Sequence, residues 1–337
     1  MSSTNAQQIV LASRPNGRAQ LDNFRLEHVG IPAKPPGGLL LRTLLLSLDP
    51  YMRGRMDDLK SYATPVQIGA VMEGQGLAEI LESDHPDHRP GDLVLAKTGW
   101  RTHAPSDGTG LQKIDRRFTH PSTRLGVLGM PGFTAYCGLN IIGKPQANET
   151  VVVAAASGPV GSLVGQLAKR AGARAVGIAG GPDKCRHVIE ELGFDAAVDH
   201  RAPDLANALA QACPKGIDIY FENVGGAVWQ AVLPLLNRFA RVPVCGLISQ
   251  YSNGVGTADL LPSTMQAIVS RSLTVRGFIN YEFAEQFLEK FLNEIGPAIE
   301  TGEINYREDI TEGLENAPAA FLGMLDGKNF GKVLVRL

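Results

Sequence analysis

The chain of 337 residues predicts an α/β fold in two parts: a doubly wound parallel sheet and a smaller, mainly β domain. Three observations predict it. From Val151 onward, short apolar runs alternate with stretches of helical periodicity, the pattern of a parallel sheet covered on both faces. The first of these runs ends in a glycine-rich turn, AAASGPVG, from Ala154 to Gly161. Residues 1–125, by contrast, carry apolar runs broken by proline and glycine roughly every ten residues, which suits a small barrel. The length fits about two domains, and a hydrophobic content of 44% against 20% charged residues can fill their cores.

The elements follow in order. "GGLLLRTLLLSLDP", "VMEGQGLAEILES" and "RPGDLVLAKTG" read as barrel strands. Val151–Val153 opens the parallel sheet, and Leu163, Val164, Leu167, Ala168 and Ala171 recur at helical spacing up to Gly172. Ala175–Ala179 is the second strand. "GGPDKCRHVIEELG" is a helix with Pro182 in its first turn and Gly193 beyond its end. "AAVDH" is the third strand, followed by a helix over 205–212, the strand "IDIYFENV", a helix over 227–236 and the strand "ARVPVCGLI". After a polar loop, "SLTVRGF" is the sixth strand, and Phe283, Phe287, Leu288, Phe291, Leu292 and Ile295 stripe the next helix. The closing "GKVLVRL" reads as a strand returning to the barrel, with a ligand expected in a cleft between the two domains.

Charge excludes several functions. Thirty-two basic against 34 acidic residues leave a net charge of −2, with no electrostatic footprint for nucleic acid or an anionic membrane. The polar start MSSTNAQQ lacks the features of a secretory signal, and the apolar runs are too short to span a bilayer, so a cytoplasmic location is expected. Cys137, Cys185, Cys213 and Cys245 are far apart and read as reduced thiols. His85 and His88 lie among proline and aspartate in a surface turn, and no zinc ligand set can be assembled from nearby positions.

The glycine turn departs from G-x-G-x-x-G at its first position, where Ala156 stands; Gly158 and Gly161 fill the other two and flank Val160. Gly158 would let a pyrophosphate approach the backbone, Gly161 would let helix pack on strand, and Ala156 is tolerable if it avoids positive φ. The alternative is a tight turn with no ligand. An NAD-binding chain places a carboxylate at the end of the second strand, about twenty residues on. Here that strand ends Ala179-Gly180-Gly181, with Lys184 three residues later and His200-Arg201 after the third strand. Open space and nearby cations suit a 2′-phosphate, hence NADPH. Lys184 reads equally as a solvated first-turn lysine, and Asp183 beside it opposes the phosphate reading.

Hydride transfer needs a group that stabilises charge developing on the acceptor. Without metal ligands, tyrosine hydroxyls are the candidates. Tyr251 stands past the carboxyl end of the fifth strand, where open parallel sheets bind ligands. Tyr51 follows a proline turn in the barrel, and Tyr281 in "FINYEF" follows the sixth strand and would line a substrate pocket. Each also reads as a half-buried tyrosine with a satisfied hydroxyl. Arg53 and Arg55 read as ion-pair partners or as holders of an acidic substrate.

"SLDPYMRGRM", "GMPGFTAYCGL", "AASGPVGSLVGQLAK", "YFENVGG", "CGLISQY" and "GKNFGK" occur in that order along nearly the whole chain. Through them the chain resembles the zinc-independent medium-chain dehydrogenases/reductases of the alkenal/one, prostaglandin and leukotriene type, which include curcumin reductases. The resemblance implies a GroES-like catalytic domain over 1–123 and 301–337, a Rossmann NADP-binding domain over 124–300, and a homodimer. It implies NADPH-dependent reduction of the carbon–carbon double bond of α,β-unsaturated aldehydes and ketones. Gly158, Val160, Gly161, Gly180, Lys184, His200, Asn223, Tyr251 and Asn329 would then bind the cofactor, with Lys184 at the 2′-phosphate. Tyr251 and Tyr51 would be the catalytic candidates, with Tyr51 and Tyr281 in the substrate pocket, whose shape would also depend on residues 252–261. Many members have tyrosine where this chain has His200, which bears on how strongly, and at what pH, a 2′-phosphate is held. A quinone reductase and a non-catalytic NADPH-binding regulator are the alternatives.

Overall fold

A computed structural model of the chain describes residues 5–59, 61–115, 120–251 and 260–337. Of these, the residues up to Leu125 together with Glu308–Leu337 form one compact unit, and Gly126–Arg307 form another.

In the first unit, β1 (Asn5–Leu11) pairs antiparallel with β2 (Phe24–Gly30). The leucine-rich β3 (Leu39–Ser47) precedes the one-turn helix α1 (Met52–Arg55). β4 (Gly76–Ser83), β5 (Leu93–Ala96), β6 (His103–Ser106) and β7 (Gln112–Ile114) follow, extending the sheet from β3 through β4 and β5 to β7, while β6 pairs with the other edge of β3. Phe24 stacks on Trp100 at 5.6 Å between centroids, and the ring of Phe321 meets Trp100 edge-on at the same distance. Such aromatic pairs contribute roughly 0.5–1.5 kcal/mol each beyond the area they bury.

The second unit begins with α2 (Met130–Tyr136), which runs on into a π-helical stretch, Cys137–Gly143. Two glycines of this segment are sterically required. A Cβ on Gly132 would collide with the carbonyl of Val127, and one on Gly138 would stand 2.5 Å from Phe221 and 2.7 Å from Phe278. β8 (Thr150–Ala154), α3 (Pro159–Arg170), β9 (Arg174–Ala179), α4 (Pro182–Glu190), β10 (Ala196–Asp199), α5 (Leu205–Ala212), β11 (Ile217–Phe221), α6 (Gly226–Val232) and β12 (Leu236–Val244) then alternate as the periodicity predicts. α7 (Leu261–Arg271), β13 (Thr274–Gly277) and α8 (Ala284–Glu300) complete the unit. The six strands are parallel, in the order β10-β9-β8-β11-β12-β13. The order therefore reverses between β8 and β11, where a doubly wound sheet opens its ligand crevice. Val151–Ala154 of β8 are wholly buried there.

Three expectations need correction. The stretch read as a polar loop before the sixth strand contains α7; within it Ala267 is the buried residue, so the helix lacks the inward apolar stripe that announces one. The fifth strand starts earlier and ends earlier than expected, because Leu236 already pairs with Ile217 and a bulge follows. The helix before it stops at Val232, and Pro234 shapes the turn that follows.

The chain then returns to the first unit. β14 (Glu308–Glu312) pairs parallel with β15 (Lys332–Arg336), α9 (Ala317–Leu325) lies between them in sequence, and β15 pairs antiparallel with β3.

Candidate active site

The glycine turn after β8 is built as a strand-to-helix connection. Ala156 N–H donates to the carbonyl of Ile178 at 3.0 Å, and Gly158 N–H to that of Ala155 at 2.9 Å. The positive φ the turn needs falls on Ala155 (53°), one residue before the position expected to carry it, which leaves Ala156 unstrained. The two glycines differ. A Cβ on Gly161 would collide with the Ala155 carbonyl and stand 2.8 Å from Ala156 Cα, whereas one on Gly158 would meet a single atom, Ala155 O, at 3.2 Å. Gly161 is thus required by packing; at Gly158 the fold has room, and what glycine leaves open is access to the backbone at the N-terminus of α3. Val160 is half-buried in that first turn. Free N–H groups and the positive dipole end of a helix make an anion site.

Gly180, Lys184 and His200 come together at the tip of β9. His200 Nε2 and the Arg201 guanidinium lie around the α-carbon of Gly180, and Lys184 is buried in the first turn of α4. Asp199 holds the turn: its Oδ1 accepts the backbone N–H groups of Gly181 at 2.8 Å and Arg201 at 2.9 Å. Asp183, the expected objection to a phosphate here, is exposed and paired with Arg186.

Across the crevice, Asn223 Nδ2 donates to the Ala154 carbonyl at 2.8 Å, tying the loop after β11 to the end of β8. Glu222, whose importance the sequence reading missed, shapes that loop. Its buried Oε1 accepts Val224 N–H at 2.7 Å, Gly225 N–H at 2.8 Å and the Tyr220 hydroxyl at 2.9 Å. Burial pushes this carboxyl above its ordinary value, against the hydrogen bonds that pull it down. The carbonyls of the same loop hold the segment that carries Tyr251. Glu222 O accepts from Cys245 and Gly246, Asn223 O from Ile248, and Val224 O from Ser249. Tyr251 follows the turn Ile248–Gln250, and its hydroxyl oxygen accepts Leu247 N–H at 3.4 Å. Residues 252–259, expected to shape the pocket, lie outside the described residues. Tyr281 is 63% exposed.

In the first unit, Tyr51 leads into α1 and stands beside Arg55, whose guanidinium carbon is 5.6 Å from its ring centroid and 4.3 Å from that of Tyr62. Arg55 Nε donates to Glu73 at 2.7 Å, and Arg53 donates to Asp57 and to the Gly17 carbonyl, so both arginines are ion-pair partners. Tyr62 was not read from the sequence; it has no periodic relation to Tyr51. Burial first, then the charges of Asp49 and Glu73, holds the Tyr51 hydroxyl protonated far above the ordinary tyrosine range. Asn329 Nδ2 donates to the Gly331 carbonyl at 2.8 Å.

Two family models match, one described as the N-terminal domain of oxidoreductase over residues 7–114, the other as zinc-binding dehydrogenase over residues 159–295. The chain is 53% identical to the NADPH-dependent curcumin reductase of Escherichia coli K12 over 97% of this chain and 96% of that one. The chain belongs to the medium-chain dehydrogenase/reductase family of alkenal and prostaglandin reductases. It is 38% identical to the NADP(+)-dependent 2-alkenal reductase of Nicotiana tabacum over 97% of this chain and 96% of that one. The crystal structure of CurA from Vibrio vulnificus in complex with NADPH superposes with a TM-score of 0.94 at 49% identity, covering 98% of each chain. The mixed sheet of the first unit is accordingly GroES-like, and the parallel sheet of the second is a Rossmann sheet. Among the described residues no three of His, Cys, Asp and Glu stand close enough to hold a metal ion, so the residues do not fit the zinc named in the second description.

Proposed function

We propose that this reductase uses NADPH to reduce the carbon–carbon double bond of α,β-unsaturated aldehydes and ketones. The observation that carries the reading is the cluster of Lys184, His200 and Arg201 around Gly180, where an NAD-binding member would place a carboxylate. Kinship to enzymes named curcumin reductase and 2-alkenal reductase supports the substrate class.

Gly158, Val160, Gly161 and the N-terminus of α3 would hold the pyrophosphate, the Gly180 cluster the 2′-phosphate, and Asn223, Tyr251 and Asn329 the rest of the cofactor. Bound NADPH supplies a hydride to the β-carbon of the enone. The Tyr251 hydroxyl donates a hydrogen bond to the carbonyl oxygen as charge gathers there. Tyr51 and Tyr281 are the candidates to contact the substrate, and either Tyr251 or water delivers the final proton to the α-carbon. The loop after β11, besides offering Asn223 to the cofactor, keeps the turn that carries Tyr251 in place.

The protein is a cytoplasmic homodimer in this reading. No helix among the described residues is long and apolar enough to cross a membrane, and the four cysteines are unpaired thiols. Leu261, Met265 and Val269, four residues apart on α7, are exposed, and so is Val275 on the edge strand β13 that follows in sequence. An exposed apolar stripe and an edge strand each suit self-association about a two-fold axis. Light scattering of the parent and of Val269→Glu checks the dimer, and cell fractionation checks the location.

The function is tested by nicotinamide absorbance with an enone, a saturated aldehyde and a quinone, with NADPH or NADH. The reading expects the saturated ketone from the enone with NADPH preferred. Quinone turnover without enone reduction would overturn it.

A further inference from the structure

The tip of β9 concentrates positive charge around one titratable ring. A methyl group on Gly180 would stand 2.9 Å from His200 Nε2, 3.0 Å from Arg201 Nε and 3.2 Å from its guanidinium carbon. Imidazole and guanidinium therefore border one small space above a residue that has no side chain. Lys184, in the first turn of α4, adds its charge to that of Arg201 on the same ring. Asp199 opposes them, yet its Oδ1 is engaged by the backbone of Gly181 and Arg201. Burial first, then the charges of Arg201 and Lys184, holds the imidazole below its ordinary value, with Asp199 pulling the other way. The turn is thus assembled with its histidine biased toward neutrality among cations, and a multiply charged anion entering the space would reverse that bias.

We propose that His200 takes up a proton from solvent when the 2′-phosphate of the cofactor enters this space, so that imidazolium and the Arg201 guanidinium hold the dianion together. The proposal rests on the reading of Gly180, Lys184 and His200 as the 2′-phosphate site. Its consequence is that the preference for NADPH over NADH depends on pH. The ring's pKa is higher in the complex than in the free protein. Affinity is therefore greatest below the free-protein value, falls by up to about tenfold per pH unit between the two values, and is level above the second. The phosphate's own second pKa is near 6, so at pH 6.5 about a quarter of it is still protonated; its further ionisation strengthens binding and releases protons, and a fall in affinity with proton uptake therefore belongs to the protein.

Isothermal titration calorimetry of the full chain tests this with NADP+, adenosine 2′,5′-bisphosphate and NAD+ between pH 6.5 and 8.5, each in two buffers of different ionisation enthalpy. The expected result is net proton uptake with the two 2′-phosphate ligands and none with NAD+, and a ratio of NAD+ to NADP+ dissociation constants that shrinks as pH rises. His200→Gln should abolish the uptake and flatten the ratio, while Arg201→Gln should weaken the phosphate ligands at every pH with uptake retained. Uptake that survives in His200→Gln, or a flat ratio in the parent, would overturn the proton coupling and leave the phosphate site standing. NADP+ binding no tighter than NAD+ at any pH would overturn the site itself.

Discussion

Lys332 Nζ lies 2.8 Å from Asp49 Oδ1, and the two side chains are 3% and 5% exposed. The pair joins the last strand to the turn that leads into Tyr51. Lys332 also donates to the Leu48 carbonyl, and Ser47 donates to Asp49. Burial depresses the lysine's pKa, and Asp49 pulls it back up. Removing one partner of such a pair strands a charge away from water, which costs about 3–5 kcal/mol. Lys332→Met should therefore lower the unfolding free energy by that amount in urea titrations. The double variant Lys332→Met/Asp49→Leu should recover much of the loss. Equal losses in the single and double variants would mean that packing, and not the stranded carboxylate, sets the cost.

Glu222 supplies a pH-dependent prediction. Its pKa is raised by burial, so the folded chain holds this proton more tightly than the unfolded chain, whose value is 4.5. The stability it contributes is full below 4.5 and is lost as pH rises through the folded-state value. Glu222→Gln keeps an acceptor for Val224 and Gly225 without a buried charge. The difference in unfolding free energy between variant and parent should thus move in the variant's favour as pH rises from 4.5 to 8. A difference that stays constant over that range would show that Glu222 titrates alike in both states.

Why some of this was legible in the sequence and some was not follows from where each signal resides. The helices from α3 to α6 bury one face each and read as periodic, the strands β8, β9 and β11 are buried on both faces and read as short apolar runs, and Gly180 with Lys184 and His200 stood out by their distance from the glycine turn. α7 escaped because its apolar residues Leu261, Met265 and Val269 face solvent in the single chain. β14, with the sequence EDITE, is a mostly exposed edge strand with three acidic residues and offers no apolar alternation. Glu222 looked like the tail of a strand. Its role depends on two backbone N–H groups turned back toward it by Gly225 at φ 75°, a geometry that only an acid followed at once by Asn-Val-Gly-Gly could have suggested. Tyr62 meets Arg55 across a loop, and no spacing rule connects them.

The two glycines of the phosphate turn should separate binding from folding. Gly158→Ala places its methyl group 3.2 Å from one carbonyl oxygen, so its stability should stay within about 1 kcal/mol of the parent, while the methyl blocks backbone approach. NADP+ affinity by calorimetry should fall at least about tenfold. Gly161→Ala presses its methyl into Ala155 and Ala156 and should cost about 1–3 kcal/mol in thermal or urea unfolding. If both variants lost stability equally and Gly158→Ala bound NADP+ as the parent does, the turn would be structural only.

Tyr251 hangs on a segment whose backbone is bonded to the loop after β11, so removing its hydroxyl leaves those backbone bonds in place. The fold and the cofactor loop should therefore tolerate Tyr251→Phe. A donor aimed at a developing oxyanion acts mainly in the transition state, and losing one costs about 10²-fold in kcat. Steady-state kinetics with an enone should show that loss in kcat with the NADP+ dissociation constant changed less than about threefold. An equal loss in both would make Tyr251 a cofactor clamp, and an unchanged kcat would assign the stabilisation of the carbonyl oxygen to water or to the ribose hydroxyl.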